Sequence, residues 1–81
     1  MANAMNDNRK LFLELMYKAR KDSKLTQSKI AHTLKKNQSY ISKYENGERR
    51  LDVLEFMDAA HAIGVDPVEI ISKLNRGWKK K

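Results

Sequence analysis

Four polar side chains at helical spacing, Gln38, Ser39, Ser42 and Lys43, are the part of this sequence best suited to chemistry on a partner. A glutamine carboxamide can pair in two places with adenine, and a lysine ammonium can donate to the acceptors of guanine. Ser39 beside Gln38 is small enough for close approach, and Ser42 sits toward the helix flank. The four surround Ile41 and Tyr44, which repeat as the inner positions of the same short helix. Side chains of these types on one outward face can read base edges in a major groove. Other chemistries find little footing. No nucleophile–base constellation or catalytic pair of carboxylates can be named. His32 and His61 are lone histidines without partners at metal-ligand spacing. The expectation is therefore no enzyme, no metal and no cofactor.

The elements that must position these residues are legible as helices. Thr26 and Asn37 are N-cap residues whose side-chain oxygens can accept from free N–H groups of a first turn. Ile30, Ala31 and Leu34 form the inner face of the helix that Thr26 opens, and Gly47 supplies a left-handed stop to the helix that Asn37 opens. Upstream, Leu11, Phe12, Leu15, Met16 and Ala19 form one stripe of a first helix running from Asp7 or Asn8 to Asp22. Asp52 caps a fourth helix with Val53, Phe56, Met57, Ala60 and Ile63 inward, ended by Gly64. Asp66-Pro67 announces a fifth, with Val68, Ile71 and Leu74 as its apolar face. The fold class is all-α, a compact five-helix domain over residues 9–74, with a flexible N-terminus at 1–8 and a basic tail at 75–81. Met5 is an alternative start, which would leave the first four residues outside the natural chain.

Charge is distributed unevenly along the 81 residues, whose net charge is +7. Residues 24–50 carry Lys24, Lys29, Lys35, Lys36, Lys43, Arg49 and Arg50 against only Glu45 and Glu48. Residues 51–72 carry acids alone (Asp52, Glu55, Asp58, Asp66 and Glu69), and the tail is again basic. Positive charge thus gathers where the reading helix lies, the footprint of a nucleic-acid binder. Gln27, Lys35, Lys36, Tyr40, Asn46, Arg49 and Arg50 are placed to contact phosphates, which fix register without carrying sequence information directly. The chain has no cysteine and no apolar run long enough to span a bilayer, in keeping with a cytoplasmic, nucleoid-associated protein.

These residues carry a resemblance. Thr26-Gln27, Ala31, Gln38-Ser39, Ile41-Ser42-Lys43, Glu45-Asn46-Gly47 and the later Ala62-Ile63-Gly64-Val65 resemble the Cro/CI-type, or XRE, family of helix-turn-helix regulators. The resemblance implies a lambda-repressor-like fold that binds double-stranded DNA as a dimer, with the third helix in the major groove. It also implies that the glutamine heading the second helix braces the one opening the third, here Gln27 and Gln38. The sequence departs from the family pattern at the intervening turn. Lys35 and Lys36 stand where a glycine and an apolar residue are common. A lysine at positive φ costs roughly 1 kcal/mol relative to glycine, so either the helix runs on or the turn is reshaped.

Leu54, Ile70, Leu74 and Trp78 are apolar residues surplus to the core pattern, and they suggest a subunit interface. The alternative for Trp78 is a tail that folds back to cover the monomer core. The leading function is a homodimeric transcription regulator, most simply a repressor, acting on a pseudo-palindromic operator. A second reading is an antitoxin-type autorepressor that also binds a toxin protein, although the nine residues after Ser72 are little material for wrapping one. Membrane association would need a basic amphipathic helix to spare, and the first helix needs its stripe for the core. No pocket for a small-molecule effector is evident in the sequence.

Overall fold

A computed structural model describes residues 6–80 of the chain. It contains α1 (Asp7–Asp22), α2 (Gln27–Leu34), α3 (Gln38–Glu45), α4 (Val53–Ile63) and α5 (Pro67–Arg76), in a body with a Cα radius of gyration of 12.4 Å. The helix starts follow the capping residues. Asn6, Thr26, Asp52 and Asp66 each accept a backbone N–H of the first turn, and Asp52 completes a capping box with Glu55. Asn37 holds the extended N-cap conformation but makes no side-chain cap bond, contrary to the sequence expectation. The segment expected to be flexible is partly helical, since Asp7 and Asn8 lie in α1; its first five residues, Met5 included, lie outside the described residues.

Four helix ends share one device. Lys24, Lys35, Gly47 and Gly64 all have positive φ, at 60°, 58°, 83° and 91°. Beyond each, the chain folds back on the finished helix. Lys36 N–H donates to Ala31 O, Glu48 N–H to Lys43 O and Val65 N–H to Ala60 O. These are the six-residue closing bonds of a Schellman end. The α2–α3 turn is therefore neither reshaped nor absorbed into α2. Lys35 adopts the left-handed conformation that glycine would take, and Lys24 does the same after α1. Each lysine places a positive charge at a helix carboxyl end, which offsets part of the conformational cost.

The core joins all five helices through Met16, Ile30, Ala31, Ile41, Tyr44, Phe56, Ala59, Ala60, Ile63 and Ile70. Phe12 meets Phe56 edge to face at 5.4 Å. Several sequence assignments need correction. Ile70, assigned to a subunit interface, is buried in the monomer core, while Val68 and Ile71, assigned to the core, are exposed. The fifth helix carries two apolar stripes, and the one through Pro67 and Ile70 faces inward. On α4, Val53 and Met57 are likewise exposed, and Ala59 takes a core place. On α1, Leu13 and the charged Arg20 are buried, neither of which the stripe had included.

Tyr44 is the largest fully buried side chain, and its hydroxyl has no hydrogen-bond partner among the described residues. Burial pushes the phenol well above its ordinary value, with the Glu45 charge adding to the shift and Arg20 opposing it. The native state therefore keeps this proton above about pH 10, where the unfolded chain loses it. Stability should fall as pH rises past 10, by up to about 1.4 kcal/mol per pH unit from this group. Tyr44→Phe should remove most of that alkaline dependence. At neutral pH it should leave stability unchanged or raise it by about 1 kcal/mol, because an unpaired buried hydroxyl is lost. Urea denaturation of both proteins at pH 7 and pH 10.5 checks this; a substantial loss at pH 7 would show that the hydroxyl has a partner.

Candidate nucleic-acid interface

α3 is fixed from beneath by a polar network that begins on α1. Arg20 donates from Nε to Glu45 Oε2 at 2.7 Å and from Nη2 to Glu45 Oε1 at 3.0 Å, a two-pronged ion pair with both side chains under 10% exposed. Its remaining nitrogen, Nη1, donates to Leu25 O at 2.9 Å, at the entrance to α2. The guanidinium is held above its already high ordinary pKa, the bond to Glu45 outweighing the burial that opposes charge. It stays ionised at any working pH. One arginine thus ties α1 to the last residue of α3 and to the loop that launches α2.

From Glu45 the network runs outward to the surface. Gln27 Nε2 donates to Glu45 Oε1 at 2.9 Å, and Gln38 Nε2 donates to Gln27 Oε1 at 3.2 Å. Ser28 Oγ donates to Gln38 Oε1 at 2.9 Å. The Gln27–Gln38 brace implied by the family resemblance is present in this structure, and Ser28 adds a second prop that the sequence reading missed. A primary amide has two donor hydrogens and two acceptor lone pairs. The clamp uses one of each on Gln38, leaving one donor and one acceptor to face outward. Ser39 and Lys43 are exposed beside it, and Ser42 is half-buried on the flank.

Around this face the residues expected to grip phosphates are arranged unequally. Tyr40 is half-buried, packs edge to face on Tyr44 at 6.2 Å, and carries two cations over its ring. The Lys36 ammonium lies 5.3 Å from the ring centre and the Arg49 guanidinium 4.8 Å. Partial burial raises the Tyr40 pKa, while the neighbouring Arg49 pulls it down. Arg49 is also paired with Glu55. Asn46 donates to Glu48, and Lys35 and Arg50 are exposed with no salt bridge among the described residues. Gln27 spends both ends of its carboxamide inside the protein. At the head of α2, Lys21, Lys24, Thr26 and Ser28 line a polar cleft of about 410 Å³. Lys21, Lys24 and Ser28 were not among the residues expected at the site, and their place at the end of α1 and the start of α2 is the signal that could have drawn attention to them. Arg9, also missed, donates to Gly47 O at 2.7 Å and steadies the end of α3.

The geometry can be set beside known proteins. A family model described as helix-turn-helix matches residues 16–70, most of the chain. An XRE-family like protein from Pseudomonas syringae pv. tomato has a solved structure that superposes with a TM-score of 0.85. It is 43% identical over 89% of this chain and 88% of its own. The chain belongs to the XRE family of helix-turn-helix proteins. Its class is that of DNA-binding transcription regulators. The crystal structure of the clp gene regulator ClgR from C. glutamicum, 16% identical, shares the fold at a TM-score of 0.78 over 95% of this chain and all of its own. A comparison with curated proteins gave no match.

The Arg20–Glu45 pair yields a sharp test of what positions the XRE-family motif here. Arg20→Met alone leaves a carboxylate buried without its cation and should cost about 3 to 5 kcal/mol. Combining it with Glu45→Leu should recover most of that loss while leaving Gln38 without its inner support. Denaturant unfolding of the single and double variants checks the coupling. A double variant no more stable than the single one would mean the pair is not the energetic unit described.

Proposed function

We propose that this XRE-family chain is a homodimeric, sequence-specific repressor that inserts α3 into the major groove of a pseudo-palindromic operator. The observation that carries the reading is the clamped Gln38. A carboxamide held by Gln27 and Ser28, with one donor and one acceptor left, is pre-organised for the two-point contact that adenine offers. Lys43 reads a neighbouring base pair, with a guanine as its best partner, and Ser39 and Ser42 fill the space between the helix and the groove floor. Lys35, Lys36, Tyr40, Asn46, Arg49 and Arg50 hold the flanking phosphates. Gln27 serves there through the amino end of α2, whose N–H groups favour an anion, since its side chain is engaged.

The dimer reading rests on α4 and α5. Five of the seven large exposed hydrophobics among the described residues lie there: Val53, Leu54, Met57, Val68 and Ile71. Leu54, at 72% exposed, stays in the interface proposed from the sequence. Ile70 leaves it, and Val53, Met57, Val68 and Ile71 join. Leu74 and Trp78 instead line a cavity against α1. Two copies would place their α3 helices about 34 Å apart, one turn of the duplex. No described helix is long and apolar enough to cross a membrane, and a cytoplasmic place on the nucleoid follows from the DNA role.

Selection from randomised duplexes tests the base assignments. Gln38→Ala should lose about 1 to 3 kcal/mol on the preferred site and relax preference at one position. Lys43→Ala should do so at a neighbouring one. Arg50→Ala should weaken all sequences alike and reduce the slope of log K on log salt by about 0.9. Uniform loss in both α3 variants, with every base preference intact, would show that α3 is not the reading element. Sedimentation of the protein–duplex complex gives the stoichiometry, and a single copy per operator would overturn the dimer.

A further inference from the structure

A cavity opens at the opposite end of α1 from the polar cleft at the head of α2, where three distant stretches of chain meet. The amino end of α1, the loop after α3 and the carboxyl end of α5 enclose about 490 Å³, within the range of small-ligand sites. The tail is tied down to form it. Asn8 Nδ2 donates to Lys79 O at 2.9 Å, and Lys79 N–H donates to Asn8 Oδ1 at 2.8 Å. Gly77 packs so closely on α1 that a Cβ there would lie 2.6 Å from Leu11 Cδ2. Trp78 remains 53% exposed at the rim instead of sealing the core.

The lining is apolar below and cationic around. Phe12, Leu13, Leu51, Leu74 and Trp78 supply the walls. Arg9, Arg49, Arg50 and Lys79 supply four positive charges, and no acidic residue among the described residues lines the cavity. Two acids engage its cations from outside the lining: Glu55 pairs with Arg49, and Asp7 stands 3.5 Å from Lys79. Two of the four cations, Arg49 and Arg50, are the residues assigned above to DNA phosphates.

We propose that this cavity binds a small aromatic carboxylate, its ring against Phe12 and Trp78 and its carboxylate on the arginines, and that occupancy weakens DNA binding. A guanidinium matches a carboxylate with two parallel hydrogen bonds, and flat aromatic walls favour a flat apolar body. An anion seated on Arg49 and Arg50 competes with phosphate for the same charges. By linkage, DNA must weaken the carboxylate by the same factor. This coupling rests on the DNA reading of Arg49 and Arg50; the binding itself does not.

Calorimetry of the full chain with 2-naphthoate, and with the neutral 2-naphthalenemethanol, tests the cavity without DNA. The expected result is saturable one-to-one binding of the acid, roughly tenfold or more tighter than the alcohol, the factor a charge-assisted hydrogen bond supplies. Trp78→Ala should weaken the acid by roughly tenfold, and Trp78→Phe should restore most of it, since a ring returns. Circular dichroism and unaltered DNA affinity in the absence of naphthoate confirm that both variants are folded. Fluorescence anisotropy of an operator duplex, with and without saturating naphthoate, measures the coupling. Equal binding of acid and alcohol, or full binding by Trp78→Ala, overturns the site. Binding of naphthoate with unchanged operator affinity overturns the regulation. If the protein failed to bind any duplex, the DNA reading would fall, while the calorimetry would still decide the cavity.

Discussion

The two-pronged ion pair between Arg20 and Glu45 constrains this molecule more than any other contact. Both charges are almost fully removed from water, so each depends on the other for its place. Through that pair the long helix α1 fixes the last residue of α3, and through Leu25 O it fixes the approach to α2. The apolar core would allow short helices of eight residues to slide or rotate by small amounts. Directional bonds to one guanidinium do not. The line from Arg20 through Glu45 and Gln27 to Gln38 carries that rigidity from the interior to the side chain proposed to read a base.

The helix ends show a different compromise. Gly47 and Gly64 occupy left-handed positions at no steric cost, whereas Lys24 and Lys35 occupy equivalent positions with a Cβ in the way. Lys24 precedes the two-helix motif and Lys35 stands in its turn, so both add positive charge to it. A glycine at either place would fit the backbone better and offer nothing to an anion. The chain accepts local strain at the two ends that carry lysine and avoids it at the two that carry glycine.

Much of this was legible in the sequence because it is local. Helix starts at Thr26, Asp52 and Asp66 depend on a cap and the turn after it, and α3's inner pair, Ile41 and Tyr44, follows from spacing alone. What spacing could not decide was which of two apolar stripes faces inward on α5. Val68 with Ile71 and Pro67 with Ile70 are equally periodic, and only the packing partner chooses. Arg20 escaped notice for a related reason. It follows Met16 by four residues and so lies on the core face, yet a charge there makes sense only once Glu45, twenty-five residues later, is brought beneath it. The quartet proposed to read bases was chosen by side-chain type, but the contributions of Ser28 and Arg9 depend on contacts between separate stretches of chain. The tail's return to α1 is likewise a long-range event, sealed by Asn8 and Lys79 at opposite ends of the chain.

The clamp on Gln38 bears on how such a protein could acquire a new binding site. Exchanging the outward residues of α3 for those of a relative looks like a modular swap, since the helix is short and its outer face is free. Here the module does not stop at the helix boundary. A replacement at position 38 would face Ser28 and Gln27 with whatever hydrogen-bonding groups it has, and an apolar or acidic newcomer would leave them mismatched. On the proposed reading, specificity would therefore be inherited as a set spread over α2 and α3, and a lineage drifting toward a new operator would have to change both helices in step.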